Sequence, residues 1–129
     1  VHPELATQFL IEDYYNLHLM EAGRFSAIVA NAALVHLLDR ADMPEILRQL
    51  HRLLRAGGVA FLRMLNKDGV TEEFDAVLFR YPRWFVYFSL PDLEQLARDA
   101  GFEILRGSEH PHHNFDNVSW PCVLLKKLA

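Results

Sequence analysis

Apolar residues along this chain follow two rhythms. Short continuous runs occur at residues 9–12 (Phe9, Leu10, Ile11, Glu12), 25–30 (Phe25, Ser26, Ala27, Ile28, Val29, Ala30) and 59–65 (Val59, Ala60, Phe61, Leu62, Arg63, Met64, Leu65). The last two show little strict alternation. Strands buried on both faces look like this, as in a parallel sheet covered by helices. Between them the rhythm changes to that of a helix. Ile46, Leu47, Leu50, Leu53 and Leu54 recur at helical spacing and make one apolar stripe. Asp42 is the expected N-cap, with Glu45 completing a capping box and Pro44 in the first turn. Gly57 is the expected stop.

The same grammar returns downstream. Ser89 caps a second helix with Asp92 in its first turn, and Leu90, Leu93, Leu96, Ala97 and Ala100 form its stripe up to Gly101. A strand is expected at Phe102–Leu105 and a last one from Ser119 to Leu125, the two forming an antiparallel pair at the sheet edge. Residues 71–81 predict a short amphipathic helix, because Phe74, Val77, Leu78 and Tyr81 share a face. The aromatic stretch 82–88 reads as extended, and 107–117 as a loop. Alternating strands and helices signal a layered α/β fold.

Composition narrows the function. The chain has 129 residues, 51% of them apolar, enough for one domain with a sizeable core. The formal charge of −4 suits nucleic acid poorly, since phosphate backbones reward a basic face. No apolar run reaches the roughly 18 residues of a membrane span. The expectation is therefore a protein that binds neither nucleic acid nor membrane. Cys122 is the single cysteine, so no intrachain disulfide forms, and a reducing, cytoplasmic setting fits. The opening Val1-His2-Pro3-Glu4 reads as the inside of a longer chain. Four residues near 110–116 (His110, His112, His113, Asp116) invite a metal reading, but the spacing is no compact ligand signature and a solvated loop is expected instead.

Several segments, taken in order, resemble the class I S-adenosylmethionine-dependent methyltransferases of the small-molecule type. "FLIEDYYNLHL" (9–19) is similar to their third strand and its acidic end. "RFSAIVANAALVHL" (24–37) is similar to the fourth strand and following turn, and "ILRQLHRLLRAGGVAFLRM" (46–64) to the next helix, glycine turn and fifth strand. "RWFVYFSLPDLEQLARDAGFEIL" (83–105) and "VSWPCVLLKKL" (118–128) resemble the last helix and the final two strands. Two positions depart from the family's pattern: Ser26 stands where Asp is usual, and Ala56 where Pro is usual. The glycine-rich loop that opens the family's domain, with the strands on either side of it, does not occur in these residues.

The resemblance implies a Rossmann-like methyltransferase sheet, mostly parallel with an antiparallel last strand and lacking its N-terminal strands, formed by residues 1–129 as part of one domain. It implies S-adenosylmethionine as cofactor, a small-molecule acceptor, and methyl transfer to oxygen or nitrogen that needs the absent opening segment. By the same resemblance Asp13 and Tyr14 meet the adenine, and Asn31 and Ala32 lie beside the methionine end. His36 follows in that turn, where an imidazole can act as a base near neutral pH. Tyr81, Arg83, Trp84 and Tyr87 cover the acceptor side, where aromatics suit a planar acceptor and a guanidinium suits an anionic group. Each has a blander alternative, in turn capping or ordinary core packing. The alternative for the whole chain is a non-catalytic methyltransferase-like module that binds partners or forms a homo-oligomer through its incomplete sheet.

Overall fold

The computed structural model describes residues 14–75 and 82–129. The expected strand at 9–12 lies outside the described residues. The strand expected at 25–30 is β1 (Phe25–Asn31), and it pairs in parallel with β2 (Leu54–Arg63), Val29 opposite Phe61 and Asn31 opposite Arg63. The last strand, β7 (Val118–Lys126), runs antiparallel between β2 and β6 (Glu103–Pro111). β1, β2 and β6 therefore share one direction and β7 opposes them. β3 (Asn66–Lys67) continues the line of β2 along β7. A separate two-stranded ribbon joins β4 (Glu72–Asp75) to β5 (Arg83–Val86).

The two helices are α1 (Met43–Leu53) and α2 (Leu90–Asp99). Met43, Ile46, Leu47, Leu50 and Leu53 of α1 are buried, as are Leu93 and Ala97 of α2. Beneath them lie Ala60, Leu62, Val123 and Leu125, all fully buried in the sheet. The opposite face of the sheet is more open among the described residues: Val29 is 71% exposed, and Phe61 and Leu124 in register with it are half-buried.

Four local expectations are corrected. α1 stops at Leu53 rather than at Gly57, because Leu54 is fully buried and pairs with Phe25, which draws the chain out of the helix. Gly57 serves instead in a left-handed turn (φ 78°) inside the first half of β2. Asp42 does not cap α1 with its side chain; the carboxylate accepts from the Tyr15 hydroxyl at 2.9 Å. Residues 72–75 form a strand, not the start of a helix, since Phe74 pairs across to Trp84 and stays 67% exposed. Residues 107–111 belong to β6, so the loop is shorter than expected. This edge strand is polar on both faces (Arg106, Ser108, Glu109, His110), and its pairing with β7 holds it without an apolar pattern to announce it. The Ser89 cap occurs as expected: its hydroxyl accepts from the Asp92 N–H at 3.3 Å.

Candidate functional site

The site grows from the C-terminal tips of β1 and β2. Asn31 ends β1 with its side chain exposed, and its Oδ1 accepts from Arg63 Nη1 at 3.5 Å. The next residue, Ala32, has φ 57°, the one non-glycine residue with positive φ among the described residues. A left-handed alanine costs about 1 kcal/mol and persists only where its surroundings enforce it. Here the Ala32 N–H is tied to the Arg63 carbonyl at 2.9 Å, while Leu34 and Val35 are buried two and three residues on. The turn thus throws the chain off the strand tip and into a short 3-10 helix, Leu34–His36.

His36 ends that helix half-buried, and three groups hold it. Its Nδ1 lies 3.2 Å from the Trp84 carbonyl oxygen. A carbonyl only accepts, so Nδ1 carries the hydrogen, and in the neutral form of the ring Nε2 is the acceptor. The ring sits 4.9 Å from that of Phe85, tilted by 50°. The backbone oxygen of His36 accepts from the Tyr14 hydroxyl at 3.2 Å. Tyr14 in turn packs against Tyr15, with centroids 4.9 Å apart. Tyr15 accepts from the Leu38 N–H and donates to Asp42, both at 2.9 Å. Burial, with Asp42 beside it, raises the Tyr15 pKa. A cavity of about 160 Å³ flanks the tyrosine pair beside Asp42 and Glu45, too small for a nucleoside.

Of the residues expected to cover an acceptor, Arg83 is exposed and Trp84 is 38% exposed. Tyr87 departs from the expected surface-lining role. It is 1% exposed, and its hydroxyl donates to Glu73 Oε1 at 2.9 Å. Burial and the neighbouring Glu73 push its pKa well up. Lys67 Nζ bridges the same Glu73 and Asp75, the latter at 3.4 Å and 8% exposed. Hydrogen bonding to Glu73 raises the Lys67 pKa. Arg40 Nε donates to the Tyr87 carbonyl at 2.9 Å while its guanidinium lies over the Phe88 ring.

The structure therefore brings Tyr14, His36 and the Trp84 backbone together, with His36 following Asn31 and Ala32 by five and four residues. Asp13 and Tyr81 lie outside the described residues. Sequence reasoning missed Arg63, Lys67, Glu73 and Arg40. Arg63 had a visible signal, a cation interrupting an apolar run at a strand tip, and it is now seen with its guanidinium 4.1 Å from the Trp120 ring. The other three had none, since their partners are set by pairing across the fold.

The histidine segment is an aromatic stack. His112 Nδ1 accepts from the Asn114 N–H, and its ring stacks on His113 at 4.8 Å and Trp120 at 6.0 Å. Burial, with His113 adding to it, lowers the His112 pKa. Among the described residues no group of three or more His, Cys, Asp or Glu is arranged to hold a metal ion.

An α/β sheet whose reversed last strand lies inside it, with polar side chains such as Asn31 and Arg63 at its strand tips, belongs to a class in which ligands bind at the carboxyl ends of strands. A family model described as methyltransferase domain matches residues 4–106, and the chain belongs to that family. Among solved structures it resembles the Burkholderia thailandensis 1,6-didemethyltoxoflavin N1-methyltransferase, crystallised with 1,6-didemethyltoxoflavin and S-adenosylhomocysteine. That likeness has a TM-score of 0.68 and 22% identity, over 88% of this chain and 48% of the other. It resembles a SAM-dependent methyltransferase of Methanosarcina mazei with a TM-score of 0.73 and 17% identity, over 93% and 66%. It also resembles the cyclase SpnF with a TM-score of 0.71 and 16% identity, over 98% and 59%. No curated protein sequence matches the chain. At these identities the likeness is one of fold, and the chain spans about half to two-thirds of each neighbour's length. No helix among the described residues is long and apolar enough to cross a membrane.

Proposed function

We propose that this chain is the part of a SAM-dependent methyltransferase that carries the tips of the fourth and fifth family strands. Acting with the glycine-rich segment expected before it, it transfers a methyl group to oxygen or nitrogen of a small-molecule acceptor. The observation that carries this reading is the turn after β1, where an exposed amide and a left-handed alanine sit five and four residues before a histidine with a defined tautomer. These residues suit the cofactor. Ala32 offers little bulk at the tip, Asn31 an amide with donor and acceptor, and Tyr14 a ring joined to the same turn. With Asp13 they would hold it. When bound, S-adenosylmethionine supplies an electrophilic methyl group on a sulfonium sulfur.

The chain's own residues bind, align and take a proton. His36 Nε2 accepts the proton that an acceptor hydroxyl or amine must lose, while Nδ1 stays on the Trp84 carbonyl. Arg83 and Trp84, with Tyr81, orient the acceptor through charge and ring contact. Tyr87 supports that side from within the core.

A second reading has one observation in its favour. β1 pairs only with β2 among the described residues, and Val29 beside its outer edge is exposed. A module without catalysis would use that edge to pair with another chain. Calorimetric titration of the full-length protein with S-adenosylmethionine separates the two. Saturable binding at one site per chain is expected. Absence of heat and of any thermal shift, with a stable dimer by light scattering, would overturn the catalytic reading in favour of the second.

A further inference from the structure

The β4–β5 ribbon is not part of the main sheet, yet it supplies the carbonyl that sets the His36 ring. We propose that Lys67, Glu73 and Tyr87 form a polar anchor for this ribbon, and that the anchored ribbon acts as a positioning device fixing His36 as its Nδ1–H tautomer. The inference rests on reading His36 as the proton acceptor for its consequence in catalysis, but the tautomer itself is a property of the fold.

The connection runs through contiguous contacts. Lys67 lies on β3, which belongs to the main sheet, and reaches across to Glu73 and Asp75 on β4. Glu73 also receives the Tyr87 hydroxyl, which follows β5 in the chain. In the ribbon, Glu73 is paired with Phe85, and Phe74 with Trp84. The Phe85 ring touches the His36 ring, and the Trp84 carbonyl takes the His36 Nδ1–H. Glu73 is thus one strand away from both groups that hold the imidazole. Asp75 is buried, and Lys67 and Glu73 are only partly exposed. A shift of the ribbon would draw Glu73 away from both the Lys67 ammonium and the Tyr87 hydroxyl, in a place where it would not regain full hydration. An apolar contact would tolerate sliding by a fraction of an ångström; a directional one does not.

The anchor also explains the sequestration of Tyr87. Its side chain holds Glu73 while its backbone joins two more elements, the N–H donating to the Thr71 carbonyl at 2.8 Å and the carbonyl accepting from Arg40. Tyr87 and Glu73 are positioning residues: they act on the imidazole through the ribbon.

The test is nitrogen NMR of the full-length protein with labelled histidine, at a fixed pH where the imidazole is neutral. The unaltered protein is expected to show His36 as the Nδ1–H tautomer. Glu73→Ala cuts both ties and should relax the ring toward a mixture of tautomers. Tyr87→Phe, which removes one hydroxyl and is the milder change, should give a smaller shift in the same direction. Glu73→Gln retains an acceptor oxygen for Tyr87 and should restore the unaltered spectrum. Leu96→Ala, on α2 and outside the anchor, is the control for general loosening. A His36 spectrum unmoved in folded Glu73→Ala or Tyr87→Phe, or moved as much by Leu96→Ala, would overturn the proposal. Where methyl transfer is measurable, Glu73→Ala should lower kcat about 10-fold or more and Tyr87→Phe by less, with the KM for S-adenosylmethionine changed less than about 2-fold, while Glu73→Gln and Leu96→Ala should leave kcat near that of the unaltered protein. Should methyl transfer be absent altogether, the proposed function fails, while the tautomer result still decides the anchor.

Discussion

The two helices and the β4–β5 ribbon are attached to the same sheet by opposite means. α1 and α2 lie on it through aliphatic side chains, with Leu47, Leu62, Leu93 and Val123 entirely buried. The ribbon is joined through a lysine shared by two carboxylates, a tyrosine hydroxyl and a histidine on a carbonyl, with Phe85 and Val86 packed beneath. Hydrophobic burial is strong and non-directional, so it decides that the layers adhere. Charge-assisted hydrogen bonds add less net energy but demand one geometry, so they decide where a side chain points. The fold places directional contacts beside its candidate site and leaves the bulk of its stability to the apolar core shared by the sheet and helices.

The comparison breaks most visibly in the helix layer. Leu47→Ala is expected to destabilise the chain by about 3 kcal/mol, through lost burial and the cavity left behind. Denaturant unfolding checks this, and the loss should be nearly independent of pH. The ribbon should behave differently. Tyr87→Phe is expected to cost about 1 kcal/mol at neutral pH, the worth of a hydrogen bond whose carboxylate partner keeps its lysine. Its signature is alkaline. Lys67 and Tyr87 both have raised pKa values, Lys67 through hydrogen bonding to Glu73 and Tyr87 through burial. The folded state therefore keeps protons that the unfolded chain releases. Stability from these groups is complete below pH about 10 and is lost as pH rises beyond it. Thermal melts between pH 8 and 11 should show a steeper decline in the unaltered protein than in Tyr87→Phe. The smallest effect is at the strand tip. Ala32→Gly relieves the left-handed strain but frees the unfolded backbone, for a net gain of about 0.5 kcal/mol. A measured loss above about 1 kcal/mol would show that the Ala32 methyl group packs in a way that outweighs its strain.

Much of the layer structure was legible along the chain. The apolar run at 25–30 is β1 almost residue for residue, and the stripe of Ile46, Leu47, Leu50 and Leu53 is the buried face of α1. Both signals are local, and the helical stripe is rewarded directly by burial on the sheet; β1 was expected to be buried on both faces, but among its residues only Ala30 is buried. β6 beyond Leu105 and β4 were missed for the converse reason. Their side chains are largely exposed and their existence depends on a partner strand distant in sequence. At the site, the turn residues Asn31 and Ala32 were found as neighbours of a strand tip, but the left-handed backbone of Ala32 has no mark in the residue type. Tyr87 was counted with the acceptor-side aromatics because it sits among them in sequence. Only its pairing with Glu73 turned it inward.

The residue pattern by itself determined the strand–helix alternation, the buried stripe of each helix and the family to which the chain belongs. These follow from short-range periodicity and from ordered turns whose chemistry is local. Tertiary structure alone decided that β7 lies between β2 and β6, that Lys67 meets Glu73, and which nitrogen of His36 bears its proton. Such features depend on contacts between groups far apart in the chain, and pairing energies of that kind leave no periodic trace in the residues that make them.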